Sequence, residues 1–125
     1  MIRFERDVRR FHRKFGVVNG VSPHVPNPEQ RAIRKRLIRE ETDELIEAIE
    51  RGDLRGIASE SIDVLYVVVG TLMVCGVRIL PVWRAVHAAN MKKVPNPDGG
   101  KVQKPIGWKP ADIDAALARS RRWWR

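Results

Sequence analysis

Cysteine is nearly absent. Cys75 stands alone among 125 residues, so neither a disulfide framework nor a cysteine-rich zinc site can form. His12, His24 and His87 have no close His or Cys neighbour, which disfavours a structural zinc site. No apolar run is long enough to cross a bilayer comfortably, since the longest, Val64–Val77, is short and holds Gly70 and Thr71. Met1–Arg10 is charged and lacks the apolar stretch of a signal peptide. The expectation is a reduced, cytoplasmic protein with no membrane partner. Strand-like alternation is missing, as are internal repeats and low-complexity segments.

The size and composition suit one folded domain over residues 1–125. Hydrophobic residues at 43% and charged residues at 31% are ordinary for a globular chain and unlike a disordered one. The net charge of +9 raises nucleic acid or another polyanion as a partner. Its distribution argues otherwise. Residues 40–63 hold nine acids against two bases, while residues 1–39 hold three acids against eleven bases. An acidic block between basic flanks repels a nucleic acid but suits a phosphate ester held through bound cations.

Helical spacing dominates, and the punctuation is clear. Phe4, Val8, Phe11 and Phe15 mark a first helix over 2–15, with apolar residues at core spacing. Asn27-Pro28-Glu29-Gln30 is a helix start, with Asn as N-cap and Pro at the first position. That helix runs to about Arg51, where Gly52 stops it. Asp53 caps the next, which reaches about Cys75 before Gly76. Pro81 predicts a fourth helix to about Lys93, residues 94–109 read as irregular, and 111–122 as a short last helix. Short connections between long helices give an all-α antiparallel bundle of four main helices plus a short C-terminal one.

Carboxylates fall where a core is expected. On the second helix Glu40 and Glu44 are about 40° apart, with Glu41 about 60° further round. They share the sector of Ile33, Leu37 and Ala48. Asp43, Glu47 and Glu50 point the other way and read as solvated charge. The third helix is apolar on nearly every side, which predicts a buried central helix. Glu60 and Asp63 are set into it, and buried carboxylates cost several kcal/mol each unless paired or bound to metal. Salt bridging is the alternative, but only Arg51 and Arg55 are basic between residues 40 and 63, and neither is expected near Glu60. Five oxygen ligands without His or Cys suit a hard cation, Mg²⁺ with Mn²⁺ as a substitute, and two or more ions are compatible with so many acids.

Glu40-Glu41-x-x-Glu44 followed by Glu60-x-x-Asp63 resembles the signature of the MazG-like all-α nucleotide pyrophosphohydrolases. That superfamily includes phosphoribosyl-ATP pyrophosphohydrolase and the dimeric dUTPases. His87-Ala88-Ala89-Asn90-Met91-Lys92-Lys93 is similar to its Asn-x-x-Lys segment. Gly100-Lys101, Lys104-Pro105, Gly107-Trp108 and Pro110-Ala111-Asp112 resemble its C-terminal stretch, and Phe11-His12-x-x-Phe15-Gly16 its first helix. The resemblance spans residues 8–114.

It implies that Glu40, Glu41, Glu44, Glu60 and Asp63 bind the metal, with Glu41 also the candidate to activate water. It implies that Asn90 and Lys93 face the nucleotide and that Lys101 and Lys104 meet its phosphates. The implied reaction converts a (d)NTP, with dUTP the first candidate, to monophosphate and pyrophosphate, in a homodimer or dimer of dimers. Phosphoribosyl-ATP hydrolysis in histidine synthesis is the nearest alternative, and an inactive basic nucleic-acid-binding protein the more distant one.

Other residues read more plainly. His12 and His87 are expected on helix surfaces, Trp108 packed on the bundle and Cys75 inert in the core. Phe11 and Phe15 are expected buried rather than stacked on a base. Residues 119–125, Arg-Ser-Arg-Arg-Trp-Trp-Arg, form a basic and aromatic tail whose composition also suits nucleic acid.

Overall fold

The computed structural model describes residues 2–121. It is all-helical: α1 (Arg3–Phe15), α2 (Pro28–Glu50), α3 (Leu54–Val74), α4 (Ile79–Asn90) and α5 (Ile113–Ser120). The caps act as the sequence implies. Asn27 accepts a hydrogen bond from the Gln30 amide at 2.9 Å, and Asp53 accepts one from Gly56 at 3.1 Å. Gly16, Gly52 and Gly76 take positive φ at the ends of α1, α2 and α3. The tight turn at Arg51–Asp53 folds α2 and α3 into an antiparallel hairpin, and α1 packs on α3. The segment after α1 lies over the end of α3, where Gly20 N–H donates to Met73 and His24 N–H to Cys75.

Three boundaries differ from expectation. α4 begins at Ile79 rather than Pro81, because Glu5 of α1 caps it from a distance. The Glu5 carboxylate, 2% exposed, accepts from the Ile79 amide at 2.6 Å and from the Ile2 amide at 3.2 Å. Pro81 then sits in the first turn, where no intrahelical N–H bond is lost. α4 also stops at Asn90, before Lys93. α5 starts at Ile113 rather than residue 111 because Asp112 supplies the cap, accepting from the Ala115 amide at 3.0 Å. Of the predicted tail, Arg119 and Ser120 end α5 and Arg121 caps it, while 122–125 lie outside the described residues.

Replacing Glu5 by Ala strands the Ile79 amide and removes a charge-assisted bond, at a cost of about 2 kcal/mol. A thermal melt of Glu5→Ala checks this; an unchanged midpoint would remove Glu5 from the account of α4.

The packing corrects a larger expectation. α3 is not a helix buried on all sides. Its buried residues, Val69, Gly70, Met73 and Val74, lie in its last turns, while Ile62 is 58% exposed and Leu65 and Val68 are also open. Phe4, Phe11 and Phe15 of α1 are exposed as well, Phe11 by 44%. The reason is geometric: α4 packs on α5 and does not close over α1 and α3. By length and composition alone α3 would pass for a membrane span. Yet its last turns pack against Val8 and it carries Glu60 and Asp63, as a bundle helix does.

Candidate active site at the α2–α3 hairpin

The hairpin brings acids from both helices together. Glu41, Glu60 and Asp63 each place a carboxylate oxygen within 4.8 Å of the other two. Glu41 and Glu60 are half-buried, and each has one buried oxygen, Oε2, with no hydrogen-bond partner among the described residues. Glu44 completes the group electrostatically. Burial raises the Glu41 pKa most, and the charges of Glu44, Asp63 and Glu60 raise it further. Burial also leads the upward shift of Glu60, with Glu44 and Asp63 adding to it. When all are ionised, Glu44 meets both as acceptor facing acceptor, so a hydrogen bond between them requires a retained proton. Glu40 is exposed and stands outside the three-residue cluster.

Arg51 comes closer than expected. It pairs with Glu47 at 3.8 Å on the surface, and its positive charge reaches Glu60 and lowers that pKa. Burial and the neighbouring acids outweigh it. Asp43, Glu47 and Glu50 are solvated, as the helical wheel implies.

This repulsion has a consequence for stability. Glu41 and Glu60 hold protons more tightly folded than unfolded, so the folded state binds more protons over the interval between the two values. Without metal, their contribution favours folding below the ordinary glutamate range and is lost as pH rises through the raised values. Glu41→Gln is therefore expected to melt higher than the unsubstituted protein at neutral pH without metal. The gap should close as the pH falls towards 4; a gap independent of pH would exclude carboxylate repulsion.

Beside the acids lies a cavity of about 280 Å³ between α1, α2 and α3, which Glu41 and Asp63 help to line. Phe11 and Tyr66 contribute an aromatic wall, edge to face at 5.3 Å. His12, expected on a surface, is 3% exposed and lines this cavity, with Nδ1 bonded to Asn19 Oδ1 at 2.7 Å. Arg34, which nothing in the sequence singled out, is buried beside it. Larger cavities lie under residues 18–30 and near Cys75, but they contain none of the acids.

Asn90, Lys93, Lys101 and Lys104 do not line the acid-bearing cavity. The structure instead gathers Lys93 and Lys104 on Trp108, with ammonium groups 5.3 and 5.0 Å from its ring. Trp108 packs on the end of α4, donating its indole N–H to Ala89 at 2.7 Å. An antiparallel bridge, Val94 to Gln103, closes the loop between Lys93 and Lys104. Asn90 and Lys101 are exposed. Cys75 is half-buried rather than in the core; burial raises its pKa and the Arg34 charge lowers it by less.

The donor set tests well against a hard cation. It is all oxygen, it converges from two helices, and two of its oxygens are buried without a partner. The carboxylate cluster could hold a metal ion beside an aromatic-walled cavity of the helical bundle. The sequence model of the phosphoribosyl-ATP pyrophosphohydrolase family matches residues 8–90, and the chain belongs to that family. It is thus a nucleotide pyrophosphohydrolase. The match runs from within α1 to the end of α4, so it contains all five predicted acids and Asn90 but not Lys93, Lys101 or Lys104. It is shorter than the resemblance over 8–114. No curated protein gives a match.

Proposed function

We propose that the chain hydrolyses a nucleoside triphosphate to the monophosphate and pyrophosphate with Mg²⁺, and that dUTP is its first candidate substrate. The observation that carries this reading is the convergence of Glu41, Glu60 and Asp63 with two unpartnered buried oxygens. A hard divalent cation held there supplies charge neutralisation for phosphate oxygens and makes a water more acidic. Glu41, Glu60 and Asp63 would hold it, with Glu40 and Glu44 of the same helix as the further candidate ligands and room in so many acids for more than one ion. Glu41 orients the attacking water and takes its proton. Lys101 and Lys104 steady the departing pyrophosphate, while Asn90 and Lys93 meet the nucleotide.

The exposed apolar face of α1 and α3 supports a homodimer or a dimer of dimers. A second copy laid there would cover Phe4, Ile62 and Leu65. The activity is placed in the cytoplasm. Nucleic-acid binding through residues 119–125 is the minor alternative.

Phosphoribosyl-ATP is the second substrate reading, and the family match is equally compatible with it. Pyrophosphate release from a panel of dNTPs, NTPs and phosphoribosyl-ATP, with Mg²⁺ and with EDTA, separates the two. Metal-dependent turnover of dUTP supports the first reading. Turnover of phosphoribosyl-ATP alone replaces it with the second, and no metal-dependent turnover of any nucleotide would sink both.

A further inference from the structure

The cavity beside the acids ends on a cation, Arg34, that no acid among the described residues neutralises. Arg34 is 6% exposed, and no carboxylate lies within ion-pair distance of it among the described residues. A buried guanidinium in that state is costly. Two bonds lock its orientation: Nε donates to Thr71 Oγ1 at 3.1 Å and Nη2 to the Val67 carbonyl at 2.9 Å. Nη1 makes no hydrogen bond to a described residue, and Nη2 keeps a second N–H.

His12 stands next to it. With Asn19 presenting its oxygen, Nδ1 is the donor and Nε2 the acceptor. Burial and the Arg34 charge keep the ring neutral, against the Asn19 bond that favours its cation. Gly70 makes room for both. A Cβ there would meet Arg34 Nη2 at 2.6 Å and His12 Nε2 at 3.0 Å, so the donor and the acceptor lie together over one missing side chain.

The helix geometry sets the scale. Arg34 and Glu41 are seven residues apart on α2, which is the same face at two turns' separation, about 10 Å. A nucleotide whose phosphates sit at the acids would send its sugar and base towards Arg34 and His12. Phe11 and Tyr66 flank that path and offer ring faces for a base. The cavity is smaller than a drug-sized pocket, which favours one ring over two.

We propose that Arg34 and His12 are specificity-determining residues that read the lactam edge of a uracil-type base. Arg34 donates to the carbonyl oxygen, and His12 Nε2 accepts from the adjacent ring N–H. Cytosine presents an amine and a bare ring nitrogen at that edge, and adenine has no carbonyl. The inference rests on the hydrolase reading for the direction in which the nucleotide enters.

Calorimetric titration of the full chain with dUMP, dCMP and dAMP, all with Mg²⁺, tests it. dUMP is expected to bind at least roughly 10-fold more tightly than the other two. Arg34→Met should weaken dUMP by roughly 10–100-fold and erase the preference. If that variant does not fold, the unsubstituted protein decides through the dUMP analogue lacking the C4 oxygen, which should bind as weakly as dAMP. Equal binding of dUMP and dAMP overturns the proposal, as does an unchanged preference in Arg34→Met. Selective dUMP binding without dUTP turnover leaves this inference standing and removes the catalytic role of the acids. Turnover without base preference does the reverse.

Discussion

Asp63→Asn and Glu41→Gln should each lose at least ~100-fold in kcat/KM for the substrate that turns over, while keeping a cooperative thermal transition. Groups that merely orient metal ligands cost 10–100-fold on removal, so roughly the upper end of that range is a floor for a direct ligand. The two acids sit on different helices, within 4.8 Å of one another. Loss of either breaks the same cluster, so the double variant should be little worse than the worse single one. Each amide also relieves repulsion, so low activity will coincide with a metal-free fold at least as stable as the parent. Steady-state kinetics beside melting curves check both halves. Activity kept in either variant would remove that acid from the proposed metal site, and lost activity together with lost folding would make it a structural support instead.

The largest expected loss of stability comes from a methyl group at residue 76. Gly76 has φ +68°, and a Cβ there would strike the backbone of Ser22, at its carbonyl. A left-handed L-residue costs about 1–2 kcal/mol, and overpacking against backbone costs a further 1–3, so Gly76→Ala should cost about 3 kcal/mol. Gly52→Ala is the control. Its φ is +65°, but no atom lies within 4 Å of the added carbon, so it bears the conformational part only. In thermal unfolding Gly76→Ala should melt roughly 10 °C below the parent, and Gly52→Ala much nearer to it. Equal shifts would show that the 20–24 segment is not anchored on the end of α3.

What was legible in the sequence was local. Asn27, Asp53, Gly52 and Gly76 cap or end helices within a few residues of where they stand, and each reads correctly. Glu41, Glu60 and Asp63 were legible because helical spacing puts them on facing sides of one hairpin. The start of α4 was not, because its cap is Glu5, 74 residues away. Nor was Arg34, whose partners Val67 and Thr71 lie 33 and 37 residues on. On a wheel it is one more base in a basic stretch. The aromatic spacing of α1 correctly implied a helix but wrongly implied burial. Periodicity gives the face to be covered, not whether the same chain covers it.

The seven-residue spacing on α2 also bears on how such a site could be altered. Arg34 and Glu41 belong to one unbroken helix, as do Asp63 and Gly70 on α3. Two stiff rods therefore set the depth of the cavity, and only their separation can breathe. Inserting one residue between Arg34 and Glu41 would swing one end about 100° away from the other. A gradual change of reach is closed to this architecture. New substrates must be accommodated by exchanging side chains at the inner end, or by widening the gap between the helices.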